Sequence, residues 1–329
     1  MGSQQVPYLG IAHSANGHLF SFSPSDQGDR FNFNKVVTRV FSGPRTILTL
    51  LTAATASQGE ILSLPRPANH SSYTLEFFGP AVRCREANST TADRINKAIA
   101  AGEERSSTET IRQVETAYHA FVPAVSSDHD IAGQADVRFQ LLANASNEVW
   151  MAFERYVNTT GKKCHHEKYY QVCSLWNATY DLTLSWENDF QKVSGVWNPM
   201  HEVSYPPVDP PKAVTEMTRH AYSAFFWALA DQIVGTFGRF EEKLLNSSES
   251  RYFPLIRCPI QHNSLLGSSD LAVFFDYNED NDACQTPYTN LSAQRRQDVD
   301  RARGRTMGKL IEELSFNLTI SLMHNDLLT

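Results

Sequence analysis

Several clusters in this 329-residue chain hold residue types that can do chemistry. Asp276, Asn278, Asp280 and Asp282 place an oxygen ligand at every second position, as a calcium-binding loop does. Asn281 stands where such a loop turns on glycine, and Pro287 where it needs a bidentate glutamate, so an acidic surface loop is expected. Cys164, His165, His166 and Glu167 carry metal donors, but the chain has no HExxH or CxxC, and His201-Glu202 does not supply that geometry either. A polar hairpin turn is the expected reading of 164–167. Asp128, His129 and Asp130 follow Ser126 and Ser127 and have triad residue types. Adjacent side chains point apart, however, and no GxSxG turn is present, so this too reads as a loop. Glu187 and Asp189 would share a face at strand spacing, as paired carboxylates in sugar chemistry must, but they suit the solvated end of a strand better. Phe225, Phe226 and Trp227 read as core. The sequence therefore assigns no catalytic residue, no metal ligand and no cofactor.

A second pattern concerns modification. N-x-[ST] occurs at Asn69, Asn88, Asn144, Asn158, Asn177, Asn246, Asn290 and Asn317, eight of nineteen asparagines. The serine and threonine content would give roughly three by chance. Glycan transfer to such sites takes place in the secretory lumen, so an extracytosolic location is expected. Between Tyr170 and Trp186 the chain alternates apolar and polar residues, which puts Asn177 on the face opposite Ala178 and Tyr180 and leaves that side for a glycan.

Five cysteines, Cys84, Cys164, Cys173, Cys258 and Cys284, predict two disulfides and one remaining thiol in an oxidising compartment. Cys258–Cys284 is the preferred pair, because it closes a compact segment worth about 3 kcal/mol in the loop-entropy model. Cys173 pairs with either Cys164 or Cys84, and the sequence leaves that choice open.

Composition excludes other classes. The formal net charge of −7 argues against a nucleic-acid partner. Arg295, Arg296, Arg301, Arg303 and Arg305, interleaved with Asp298 and Asp300, read as a solvated helix face. Met1–Gly10 lacks a basic run followed by an apolar core, and no run of about 20 apolar residues exists to span a bilayer.

Positioning elements follow from periodicity. Residues 1–35 are polar and Gly/Ser-rich, a loosely ordered arm; 36–329 form one domain, with a sub-boundary at the Pro-rich 205–212 connector. Helices are expected at 36–57, in two pieces over 91–122 broken near Gly102, after the connector from Val214 through Phe237, and over 293–323. Strands are expected at 73–84, with Gly79–Pro80 bending or ending the strand, then at 137–142, 149–157 and 271–275, and over 169–193 with a bend or hairpin near Asn177. The mixture predicts an α+β fold, an antiparallel sheet covered by helices.

Three segments carry a resemblance: Tyr73–Pro80 (YTLEFFGP) followed by Cys84; Cys173 followed by Asn177–Tyr180 (NATY); and Ile311–Leu314 (IEEL) followed by Asn317–Met323 (NLTISLM). In this order they resemble the large extracytosolic region of uncharacterised multi-pass membrane proteins of filamentous fungi, over residues 45–329. The resemblance implies glycosylation and membrane attachment through segments outside this chain, and assigns no activity. The expected function is a non-catalytic ectodomain that binds or senses an extracellular or lumenal ligand at the cell surface or in a lumen. A secreted or lumenal hydrolase with dispersed carboxylates and a wall-associated structural protein are the alternatives.

Overall fold

A computed structural model describes residues 44–65, 68, 70–106, 111–123, 146–157, 165–188, 190–205, 214–243, 250–271 and 304–324. Its elements are α1 (Pro44–Gln58), β1 (His70–Glu86), α2 (Ser89–Ser106), β2 (Ile111–Phe121), β3 (Glu148–Val157), β4 (His165–Glu187), β5 (Phe190–Glu202), α3 (Val214–Ala230), β6 (Gly235–Lys243), β7 (Ser250–Arg257) and α4 (Met307–Ser321). The seven strands form one antiparallel sheet in the order β1-β4-β3-β2-β6-β7, with β5 also paired to β4. The fold is α+β, as the intermixed periodicities predict.

β4 organises the sheet. One of its edges pairs with β1 over residues 171–187. Its other edge is shared: β3 takes 165–174 and β5 takes 176–187. The alternation from Tyr170 to Trp186 therefore belongs to one uninterrupted strand, and the hairpin expected near Asn177 lies at its far end instead. There Asn188 adopts a left-handed φ of 48°, a conformation asparagine tolerates better than most residues. Gly195 lets β5 approach closely: a Cβ there would lie 2.2 Å from the Asp181 carbonyl oxygen.

Around this sheet the core has three parts. On one face α2 lays Ile95, Ala98 and Ile99 against Phe121, Trp150, Ala152 and Val172. On the other, α1, α3 and α4 bury Leu48, Phe225, Phe226 and Ile311 with Tyr118, Met151, Cys173 and Leu175. Burying each such large side chain stabilises the fold by roughly 1.5–3 kcal/mol. The projecting β1–β4–β5 end has its own cluster, in which Phe77, Tyr180, Leu182 and Leu184 meet Ile320 and Phe316 of α4. Val82 and Cys84, on one side of the 205–212 connector, pack in the same core as Ala221 and Phe225 on the other.

β1 runs unbroken through Gly79–Pro80, but its buried set changes parity there. Tyr73, Leu75 and Phe77 serve the projecting cluster, and Val82 and Cys84 the main one. Among the described residues the outer edge of β1 is closed by side chains rather than by a strand. Glu312 accepts from the Cys84 N–H at 2.9 Å, Ser315 accepts from Val82 N–H at 2.8 Å, and Thr319 donates to the Pro80 carbonyl at 2.8 Å. Seven helical residues rise about 10 Å and four strand residues about 13 Å, so helical steps of three and four track alternate strand residues. An unpaired edge is an aggregation hazard, and this arrangement blunts it.

Other expectations are corrected. Ile111–Phe121, expected as a second helical piece, is strand β2. Its Ile, Tyr and Phe positions satisfy a helical spacing by coincidence, while Ala117 to Val122 are buried consecutively, as a central strand between β3 and β6 requires. The helix expected to reach Phe237 stops at Ala230. Tyr118 donates its hydroxyl to the Ile233 carbonyl at 2.7 Å and Asn263 donates to Gln232 O, fixing the turn, and Gly235 opens β6 at a φ of 141°. The last helix starts at Met307: Gly304 has a φ of 81°, and Thr306 caps the helix by accepting from Lys309 N–H. Its expected stripe of Met307, Ile311, Leu314, Leu318 and Leu322 is buried. Leu271, expected to open a strand, lies in a turn. Residues 1–43, 137–142 and 272–303 lie outside the described residues.

Candidate functional site

β3 begins and β5 ends at the same point on β4. The Leu175 N–H donates to the Asn147 carbonyl at 3.0 Å, and the Leu175 carbonyl accepts from Val203 N–H at 2.8 Å. The two strands therefore abut on one residue and then diverge. Asn147 fastens the junction by donating its side-chain amide to the Val203 carbonyl (3.0 Å) and the Ser223 hydroxyl of α3 (2.9 Å). A cleft of about 460 Å³ opens where the strand ends part, lined by Arg94, Pro123, Ser146–Glu148, Trp150 and Glu202–Tyr205.

Several polar groups in this cleft are held by neighbours. Strand register pairs Glu148 with Ser174 and Glu202 with Trp176, which puts both carboxylates at the junction. Glu148 accepts from the Trp150 indole N–H at 2.7 Å and lies 3.9 Å from Arg85. The Arg94 guanidinium, carried by α2, sits 4.4 Å over the Trp150 ring, and Phe121 meets that ring edge-on. Ser146 donates to the Pro123 carbonyl, and the exposed Ser204 accepts from Arg219. Tyr205 packs against Trp227, and burial pushes its phenol up to about 12. Glu202 is exposed. The Asn147 Oδ1 is buried without a hydrogen-bond partner. The cleft thus sets a held carboxylate, Glu148, and a held guanidinium, Arg94, in one lining.

Of the residues singled out from sequence, only Glu202 lies in this cleft. Its neighbour His201 is exposed, and Glu148 lay in no recognised motif. Nothing local marks these residues, because the site is made by strand ends 54 residues apart meeting at Leu175. Phe225 and Phe226 are core and Trp227 is half-buried. His165, His166 and the exposed Glu167 open β4, and Glu187 closes it, exposed. Asp128, His129, Asp130, Cys164, Asp189 and the loop at Asp276, Asn278, Asp280 and Asp282 lie outside the described residues. Among the described residues no group of three or more His, Cys, Asp or Glu could hold a metal ion, and no helix is long and apolar enough to cross a membrane.

One disulfide joins Cys84 to Cys173, directly opposite across β1 and β4 with Cα atoms 4.0 Å apart. The preferred Cys258–Cys284 bridge is corrected: Cys258 is a buried thiol in the main core. Cys284 lies outside the described residues. Such a bridge characterises chains that mature in oxidising compartments.

The sequons separate in the same way. Asn88 is exposed, and its Oδ1 caps α2 by accepting from Thr91 N–H at 2.8 Å. Asn177 is half-buried and accepts from the Tyr222 hydroxyl of α3 at 3.2 Å, so the side expected to stay open for a glycan is partly covered. Asn317 donates its amide to the Gly59 carbonyl at 3.1 Å, and its sequon hydroxyl, Thr319, is buried and bonded to Pro80. Asn69, Asn144, Asn158, Asn246 and Asn290 lie outside the described residues.

Comparison with family models, curated proteins and solved structures finds no match.

Proposed function

We propose that this chain is the extracytosolic, glycosylated binding domain of a membrane-attached fungal protein, and that the cleft at the β3–β5 junction holds its ligand. The observation that carries this reading is the fixed polar lining of that cleft. Glu148 is oriented by an indole N–H, Arg94 by an aromatic face, and Asn147 by two acceptors. Groups locked before a ligand arrives lose little freedom when it binds. The Cys84–Cys173 bridge supports the compartment, and the exposed Asn88 supports glycosylation. Protease added to sealed microsomes from producing cells tests the compartment. The domain should survive until detergent opens the vesicles; digestion without detergent overturns the reading.

A specific observation favours a second reading. Two carboxylates, Glu148 and Glu202, line one cleft, as a hydrolase with dispersed carboxylates would require. Turnover of chromogenic glycosides that disappears in both Glu148→Gln and Glu202→Gln would establish it; absence of turnover in the unaltered domain would remove it.

A further inference from the structure

We infer that the ligand of the junction cleft is a neutral, hydroxyl-rich molecule, a mono- or oligosaccharide; this rests on the cleft being the binding site. The lining sets one guanidinium, Arg94, beside two carboxylates, Glu148 and Glu202. An anion entering there meets both carboxylates, and a simple cation meets the guanidinium. A hydroxyl group suits all of them, because each O–H donates to a carboxylate while its oxygen accepts from a guanidinium or another hydroxyl. Vicinal hydroxyls on a ring carry such donor–acceptor pairs side by side.

Two further features fit the same chemistry. Glu202 is an exposed carboxylate, an acceptor that an O–H donor satisfies and an anionic ligand does not. Tyr205 supplies an aromatic wall whose phenol stays neutral at physiological pH. Sugar rings present apolar C–H faces that pack on such a wall. The cleft volume of about 460 Å³ falls within the usual range for small-ligand sites.

The probe is a panel of neutral gluco-, manno- and chito-oligosaccharides, with free amino acids, spermidine and inorganic phosphate as contrasts. Binding is read by calorimetry and by the Trp150 indole N–H resonance, which reports on Glu148 because the two are bonded. At least one neutral saccharide should bind and shift that resonance. Glu148→Gln and Glu202→Gln keep the side-chain size and should each weaken that binding about tenfold or more, the scale of a lost charged hydrogen bond. Binding only of amino acids, spermidine or phosphate, weakened by the same substitutions, overturns the saccharide assignment and leaves the cleft as the site. Saccharide binding that neither substitution changes overturns the cleft itself. Absence of all binding by a domain that retains its folded spectrum overturns the inference.

Discussion

The hydroxyl of Ser315 accepts a hydrogen bond from the backbone N–H of Val82 at 2.8 Å, across 233 residues of sequence. Both groups are buried, and Glu312 and Thr319 make the neighbouring bonds to Cys84 and Pro80. Ser315→Ala leaves the Val82 N–H buried without a partner. The expected cost is about 1–3 kcal/mol, measured as a lowered urea midpoint with unchanged slope. Glu313→Ala, on the exposed side of the same helix, should change stability by about 0.5 kcal/mol or less.

The Cys84–Cys173 bridge closes a sequence separation of 89. Loop entropy for a closure of that size stabilises by about 4–5 kcal/mol in the chain-entropy model. The double variant Cys84→Ser with Cys173→Ser should therefore lose roughly 2–5 kcal/mol in chemical denaturation. Reduction of the unaltered protein should approach the same midpoint.

Gly195 faces the Asp181 carbonyl and Leu182 across the β4–β5 pair. Gly195→Ala puts a methyl into backbone that cannot move without breaking the ladder. A loss of about 2 kcal/mol or more is expected, with hydrogen-exchange protection falling first in β5. Because β5 ends at Glu202, ligand binding in the cleft should weaken in the same variant.

Alkaline pH should destabilise the domain. Burial pushes the phenols of Tyr118 and Tyr180 well up, and that of Tyr205 to about 12 from an ordinary 10.0. The native state then holds protons that the unfolded state releases. Stability is fully present below pH 10 and falls as pH rises from 10 towards 12, by at most about 1.4 kcal/mol per pH unit for each phenol. Urea midpoints measured across this range check the sign, and Tyr205→Phe should flatten the dependence.

Much of the sheet was legible because its signals are local. The alternation of β4 and the stripe from Met307 to Leu322 each depend on one element meeting one apolar surface. Ile111–Phe121 misled because a central strand buried on both faces loses its period of two, and helical spacing then fits by chance. Register was not legible, so Cys84 could not be chosen over Cys164 as the partner of Cys173. The cleft lay beyond reach for a related reason: Glu148 and Glu202 come together only because β3 and β5 share one edge of β4. The β1–β4 pairing and α4, rather than β3 and β5, bring Tyr73–Cys84, Cys173–Tyr180 and Ile311–Met323 together. Tyr180 and Thr319 both donate to the Pro80 carbonyl, and Glu312 bonds the Cys84 N–H beside the disulfide to Cys173.

Peptide mapping of the protein from its native cells, without reduction, tests the extracytosolic account most directly. The account predicts a Cys84–Cys173 cross-linked peptide, a glycan on Asn88, and an unmodified Asn317 whose amide is held by Gly59. Reduced Cys84 and Cys173 together with a bare Asn88 would contradict it.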